Sequence, residues 1–134
     1  MKYLPNIQLQ QELSNINNLS ESYIDTITSN YLNDVNSKTW ENKGWPTSFS
    51  SYKMSKIALH AFSRLLAKDL DQRADGPKIY VNCVHPGYVQ TEMTNGYGNL
   101  TPQQGAEYIV RVALMAPEDC SSGQFFNEDK IAEF

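Results

Sequence analysis

Apolar side chains recur at helical spacing in three stretches of the chain, which predicts three helices. The first covers residues 20–35, where Ser20 is placed to cap it and a single narrow apolar stripe indicates a helix on a surface. The second covers about residues 51–71. The third begins at Thr101, with Pro in the first turn and Gln104 in the capping-box position. The apolar face of the second helix is formed by Met54, Ile57, Ala58, Ala61, Phe62 and Leu65.

Two shorter stretches have the pattern of β-strands. Residues 78–85 are rich in β-branched and apolar side chains on both faces, as in a buried parallel strand, and Pro86-Gly87 ends them. A short final strand is predicted at residues 123–126, and residues 88–100 form a loop. The order helix, strand, loop, helix, strand is that of half an open α/β sheet.

Residues 1–46 differ from the rest of the chain. They are rich in Asn, Ser and Gln, and one clear helix is predicted in them before Gly44-Trp45-Pro46 interrupts the chain. Trp45 either anchors this segment or lines a pocket. The 134 residues are long enough for one modest domain, which we divide into a helical segment, 1–46, and the segment 47–134 with the remaining elements.

Composition excludes several classes of protein. With 40% hydrophobic residues the chain is not a disordered tail, and a net charge of −4 without a basic run argues against a nucleic-acid partner. No stretch approaches the roughly 18 apolar residues of a membrane span, and residues 1–6 contain no apolar signal core. We therefore expect a cytoplasmic protein. The spacing of its cysteines and histidines predicts neither a disulfide nor a metal site. His60 is expected on the surface of the second helix and His85 at the end of the first strand.

Tyr52 and Lys56 are the candidate catalytic pair, because together they could exchange a proton. At a spacing of four they project from the same side of the second helix, away from its apolar face. Free tyrosine ionises near pH ~10, so proton exchange near neutral pH needs its anion favoured by roughly 4 kcal/mol. A nearby ammonium supplies part of that by Coulomb attraction. The spacing alone also occurs by chance on exposed helices.

Several motifs in order resemble the classical short-chain dehydrogenase/reductase family. They are SYKMSKIAL at residues 51–59 and VNCVHPGYVQTEM at residues 81–93. GWP at residues 44–46 and SGQFF at residues 122–126 are similar to the plant-type carbonyl reductase branch, which includes neomenthol dehydrogenase and salutaridine reductase. That branch has a helical insertion before its catalytic tyrosine, and residues 7–43 resemble it.

The resemblance implies the C-terminal half of a Rossmann-like, doubly wound parallel sheet. It also implies an oxidoreductase that reduces a small-molecule carbonyl, or oxidises a secondary alcohol, with NADP(H), although NAD(H) stays open. Tyr52 would donate the proton to the carbonyl, and Lys56 would bind the nicotinamide ribose and favour the tyrosinate. The implied nicotinamide contacts are Pro86, Gly87 and Val89, Thr91 would reach towards the pyrophosphate, and Met93 and Tyr97 either line the substrate pocket or pack within the loop.

Two parts of the family pattern do not occur in this sequence. These are the glycine-rich pyrophosphate turn, Gly-x-x-x-Gly-x-Gly, and the serine that holds the substrate oxygen. The expectation is a C-terminal part of an enzyme about twice as long, monomeric because the insertion helix would cover the surface through which many relatives dimerise. The alternative is a non-catalytic remnant that binds a partner through an exposed sheet edge.

Overall fold

The computed structural model describes residues 4–133. Residues 1–3 and 134 lie outside this range, and so does half of residues 1–6, in which no apolar signal core was expected. The helices are α1 (Ile7–Ser14), α2 (Glu21–Asn36), α3 (Ser50–Asp71) and α4 (Pro102–Ala113), with 3-10 turns at Trp40–Lys43 and Glu92–Thr94. The strands are β1 (Cys83–His85), β2 (Phe125–Asn127) and β3 (Lys130–Ile131).

The three predicted helices are confirmed, and in α2 and α4 the predicted capping residues act as the sequence indicates. Ser20 accepts a hydrogen bond from the Tyr23 N–H at the start of α2. Thr101 and Gln104 form a complete capping box at the start of α4, where Pro102 occupies the first turn. These side chains satisfy backbone groups that the first helical turn leaves without partners.

Residues 1–46 contain a second helix that was not predicted, because α1 precedes α2. Asn6 caps α1 by accepting from the Leu9 N–H, and the last carbonyls of α1 are bound by side chains from α3. Arg64 donates to the carbonyl oxygens of Leu13 and Ser14 at 3.2 and 2.9 Å. The positive charge of Arg64 therefore lies at the negative end of the α1 dipole and fastens α1 to α3.

The hydrophobic core lies between α3 and the segment that precedes it. Ile24 and Ile27 of α2 face Met54 and Ile57 of α3, and the loop residue Leu4 is completely buried. The burial of α3 follows its predicted apolar face except at Phe62, which is 38% exposed. The other core members are Leu9, Leu13, Leu19, Tyr31, Trp45, Ala61 and Leu65.

The sheet is smaller than the sequence pattern indicates. β1 and β2 are parallel, as predicted, with Val84 opposite Phe126. The predicted strands 78–85 and 123–126 are shortened because side chains replace the ladder: Ser122 Oγ accepts from the Val81 N–H, and Asn82 Oδ1 accepts from the Gln124 N–H.

A third strand, β3, was not predicted. It pairs antiparallel with β2 after a tight turn in which Glu128 has a positive φ of 61°. The strand order is therefore β1-β2-β3, with one edge of β1 unpaired in the described part of the chain. The α/β fold class is confirmed, although β1 is half-exposed rather than buried.

His60 was expected on the helix surface, and that expectation was wrong. Its side chain is buried, and the ring lies edge-on against Phe125 of β2, with ring centroids 5.3 Å apart. Burial, assisted by the positive charge of Arg64, lowers the pKa of His60 to about 4. His60 is therefore neutral at pH 7 and forms part of the contact between α3 and the sheet.

Candidate active site

Tyr52 and Lys56 lie one turn apart on the solvent side of α3. The Lys56 Nζ atom is 5.6 Å from the centre of the Tyr52 ring, and the Tyr52 side chain is 55% exposed. Met54 and Ile57 point into the core, so the helix geometry turns the pair outwards. A phenol beside an ammonium, both reachable from solvent, can exchange a proton with a bound molecule.

The entrance to α3 is fixed by the turn that precedes it. Trp45 is buried, and its Nε1–H donates to Asp34 Oδ2 of α2 at 2.9 Å. Lys43 also bonds Asp34, at 2.6 Å, and the two hydrogen bonds lower the pKa of that carboxyl. The ring of Trp45 meets Tyr31 edge-on at 5.4 Å. Trp45 therefore anchors the insertion, in agreement with the first of its two predicted roles.

The chain makes a close turn where β1 ends. Gly87 has φ 85°, and a Cβ atom there would lie 2.6 Å from Leu100 Cδ1. The backbone conformation therefore favours glycine at this position, and a Cβ atom would also force the end of the Leu100 side chain to move. The turn places residues 88–91 alongside Leu100, at the carboxyl end of β1, which is where open α/β sheets bind ligands.

Val89 forms an isolated parallel bridge with Leu100. The bridge uses the Tyr88 carbonyl, which accepts from the Leu100 N–H, and the Gln90 N–H, which donates to the Leu100 carbonyl. Alternate backbone groups of an extended segment point to opposite sides, so the Val89 N–H points away from Leu100. The Val89 carbonyl on that other side accepts from Thr94 Oγ1. The Val89 N–H thus lies on the side of the segment opposite Leu100.

The Val89 side chain rests directly on α4. Gly105 is buried in the first turns of that helix, and a Cβ atom there would lie 2.5 Å from Val89 Cγ2. Gly105 therefore allows the loop to approach the helix closely. The sequence analysis did not single out this glycine; its position in an otherwise regular helical pattern was the available signal.

Thr91 begins the 3-10 turn with a capping box. Its side chain accepts from the Thr94 N–H, while the Thr91 N–H donates to Thr94 Oγ1 at 3.0 Å. A hydroxyl has one donor and two acceptor positions, so the Thr91 O–H proton can still be donated to an oxygen of a ligand. Thr91 consequently fits a phosphate contact through its hydroxyl and not through its amide.

Met93 and Tyr97 are on the outside of the loop. Their side chains are 82% and 69% exposed, so they are not packed within it. The neighbouring Asn95 adopts a left-handed conformation with φ 51°, which lets the 3-10 turn end and the chain reverse. The assignment of Met93 and Tyr97 to a substrate pocket stays a prediction.

The structure thus brings the candidate residues together in two groups. One is the pair Tyr52 and Lys56 on α3, and the other is the turn of residues 86–91 after β1. The approach of one group to the other, across a bound cofactor, stays a prediction. Among residues 4–133, no cluster of His, Cys, Asp or Glu side chains has the arrangement of a metal site. None of the described helices is long and apolar enough to cross a membrane.

Comparisons with known proteins agree with the resemblance in the sequence motifs. The family profile for short chain dehydrogenase matches residues 35–100, which include every candidate site residue. Salutaridine reductase of Papaver somniferum is 38% identical over all 134 residues, and its solved structure superimposes with a TM-score of 0.80 at 40% identity over 95% of this chain. This chain belongs to the short-chain dehydrogenase family.

Two further relatives place the chain within the family. The (+)-neomenthol dehydrogenase of Capsicum annuum is 36% identical over 134 residues, and carbonyl reductase (NADPH) 1 of Mus musculus is 30% identical over 126 residues. The predicted plant-type branch is thereby confirmed. The chain spans 41% of the length of salutaridine reductase and 40% of the Capsicum protein, so it corresponds to a fragment of a short-chain dehydrogenase.

Proposed function

We propose that this chain supplies the proton-transfer half of an oxidoreductase that reduces a small-molecule carbonyl with NADP(H), or oxidises the corresponding secondary alcohol. The observation that supports it is the pairing of Tyr52 with Lys56 on an exposed helix face whose opposite side is fixed in the core. NADPH rather than NADH is favoured by the name of the mouse relative. We further propose a single domain, a cytoplasmic location and a monomeric enzyme.

In the reductive direction, Tyr52 transfers its hydroxyl proton to the carbonyl oxygen of the substrate. The positive charge of Lys56 stabilises the tyrosinate that results, because opposite charges a few ångströms apart attract each other. In the oxidative direction, the tyrosinate accepts the proton from the alcohol. This proton exchange is the part of the reaction that the residues of α3 can perform.

The turn after β1 fits the nicotinamide end of the cofactor. The Val89 N–H faces outwards from its bridge and suits a carboxamide oxygen, and the Thr91 hydroxyl retains a proton for a phosphate oxygen. Pro86 and Gly87 line the position between them and β1. Lys56, besides its electrostatic role, donates to the ribose hydroxyls. The nicotinamide, when bound, supplies or accepts the hydride.

The test joins residues 1–134 to the part of salutaridine reductase that precedes the matching segment, with the parental reductase as a reference. Turnover is measured as NADPH oxidation with the parental substrate and with a panel of ketones and aldehydes. Tyr52→Phe is expected to lower kcat by about 10²–10⁴-fold with little change in NADPH affinity, because it removes only the acid. Lys56→Ala should lower both kcat and the affinity for NADPH. Tyr108→Phe on α4 is the matched control and should leave both unchanged.

Two results would contradict the proposal. One is near-normal turnover by Tyr52→Phe in the joined enzyme. The other is a folded joined enzyme that binds NADPH and shows no carbonyl-dependent oxidation while the parental reductase is active.

A second candidate function is partner binding without catalysis. It is favoured by the edge of β1, which is unpaired within residues 4–133, and by Leu59, Phe62 and Leu66, which leave an apolar strip exposed along α3. If that strip binds another protein chain, Phe62→Glu should abolish association of the 134-residue chain in light scattering and leave turnover of the joined enzyme intact. Loss of turnover with unchanged association would reject this candidate.

A further inference from the structure

The first turn of α3, which presents Tyr52, has an unusual start. Its N-cap residue is Phe49, which has a positive φ of 50°, makes no side-chain capping hydrogen bond and is 83% exposed. Bulky residues adopt this conformation only when the surrounding structure enforces it. The start of the catalytic helix must therefore be held by contacts from elsewhere in the fold.

Tyr31 of α2 provides such contacts. Its buried hydroxyl donates to Ser50 Oγ at 3.0 Å and lies 3.2 Å from Ser51 Oγ, within hydrogen-bonding distance. Ser50 and Ser51 are the first two residues of α3, and Tyr52 follows them directly. One phenol hydroxyl thus connects the insertion to both residues that precede the proposed acid.

Tyr31 is itself held firmly. Its ring contacts the edge of Trp45, whose indole N–H is bound to Asp34, one turn further along the same helix as Tyr31. Two contacts therefore join α2 to the turn before α3: the ring contact of Tyr31 with Trp45 and the hydrogen bond from Trp45 to Asp34. A hydroxyl on so fixed a ring can determine where the first turn of α3 lies.

We propose that Tyr31 is a positioning residue for Tyr52, acting through the hydroxyls of Ser50 and Ser51. The inference rests on the proposed role of Tyr52 as the acid. Proton transfer demands correct placement of donor and acceptor, and a displacement of about 1 Å is sufficient to lower a rate by about a hundredfold. The insertion helix, which contains no catalytic residue, would then control the rate of proton transfer.

Tyr31→Phe tests the proposal because it keeps the ring against Trp45 and removes only the hydroxyl. Tyr23→Phe is a matched control on the same helix: the Tyr23 hydroxyl donates to Glu12 of α1, remote in sequence from α3. In the joined enzyme, Tyr31→Phe should lower kcat by about tenfold to a hundredfold and leave KM for NADPH unchanged. Tyr23→Phe should change neither, although both variants lose a hydrogen-bonded phenol hydroxyl and a similar amount of thermal stability.

A second readout needs no turnover. A fluorinated tyrosine placed at position 52 of the 134-residue chain reports its surroundings by fluorine NMR. Tyr31→Phe should shift or broaden this resonance, and Tyr23→Phe should leave it in place. If the two variants give the same spectrum and the same kcat, Tyr31 does not position Tyr52 and the proposal is overturned.

The two readouts separate this inference from the role of Tyr52 itself. If Tyr52 is not the acid, Tyr52→Phe keeps its turnover, yet the fluorine signal still responds to Tyr31→Phe. If Tyr52 is the acid and Tyr31 does not position it, Tyr52→Phe is inactive while Tyr31→Phe is indistinguishable from the wild type in both measurements.

Discussion

Residues 4–71 and residues 72–133 are held together in different ways. In the first region, three helices and the turn at Trp45 share one hydrophobic core that ends at Leu65. In the second, the buried hydrophobic side chains are Val112 and Phe126, and much of the structure depends on hydrogen bonds and close glycine contacts. The proposed acid stands on the first region and the proposed nicotinamide contacts on the second.

The comparison shows that the proposed site would combine a rigid group with an adaptable group. Tyr52 is attached to a helix whose other face is buried, so its position is set by packing of the insertion against α3. The turn of residues 86–91 is set by local polar contacts, which open at lower free energy than a packed core. A cofactor would order the second group against the first.

The largest expected effect comes from the core of the first region. Leu13 is 1% exposed, and Leu13→Ala should lower the free energy of unfolding by about 2–5 kcal/mol, since it removes apolar contacts and leaves a cavity. Ile109→Ala on α4, where the side chain is 49% exposed, should cost under about 1 kcal/mol. Urea unfolding, followed by the circular dichroism of the helices, measures the free energy of unfolding of both variants. Equal losses would contradict the difference between the two regions.

A smaller effect is expected from pH at the contact between the two regions. His60 has a folded-state pKa of about 4 against 6.5 when unfolded, so the unfolded state binds the proton first as pH falls. The free energy of unfolding should therefore fall between about pH 6.5 and pH 4, by on the order of 2 kcal/mol. Hydrogen bonds, chiefly from Tyr23 to Glu12 and from Lys43 to Asp34, lower the pKa values of these two carboxyls, so they add to the loss of stability at the acid end of this window.

The control for this effect is His60→Gln, which cannot take up a proton. Stability of that variant should be nearly independent of pH from 6.5 to about 5. An equal slope in the variant and the wild type would show that another group is responsible.

In the second region, Gly105→Ala should displace the proposed cofactor turn. The new Cβ atom would lie 2.5 Å from Val89 Cγ2, so the loop must shift, at a cost of about 1–2 kcal/mol. Amide resonances of residues 88–100 should move, while those of α3 stay in place. Ala106→Ser, at the exposed neighbouring position, should leave both sets unchanged. Movement of the α3 resonances would mean that the two regions are coupled more tightly than their packing indicates.

The smallest effect concerns the exposed loop. Met93→Ala and Tyr97→Ala should each change the free energy of unfolding by less than about 0.5 kcal/mol, because both side chains are mostly in solvent. If they line the substrate pocket, the same changes in the joined enzyme should raise KM for the carbonyl substrate several-fold and leave KM for NADPH unchanged. Unchanged KM for both would remove them from the pocket.

The sequence predicted those elements whose local signals agree with their packing. Helices α2 and α4 were predicted because caps at Ser20 and Thr101 coincide with an apolar period, and α3 was predicted from its apolar period. Helix α1 was missed, because its short IQLQQELS pattern has few apolar positions and its end is stabilised by Arg64, some fifty residues away. The local sequence of α1 contains no signal of such a distant hydrogen bond.

The sequence identified the candidate residues of the site, but it did not predict most of the contacts around them. Tyr52 and Lys56 followed from spacing and motif, whereas Tyr31 and Gly105 matter through contacts that only folding creates. His60 was misplaced because a histidine gives no signal of the aromatic ring that will cover it, here Phe125. The strand lengths were overestimated because Asn82 and Ser122 replace ladder bonds with side-chain bonds.

The central claim is that Tyr52 and the turn after β1 face one nicotinamide from its two sides. The most direct measurement is the pattern of intermolecular nuclear Overhauser effects from the nicotinamide C4 protons of NADPH bound to the joined enzyme. We expect effects both to the Tyr52 ring protons and to the Val89 methyl protons. NADPH bound with its C4 protons close to only one of these side chains, or to neither, would contradict the account.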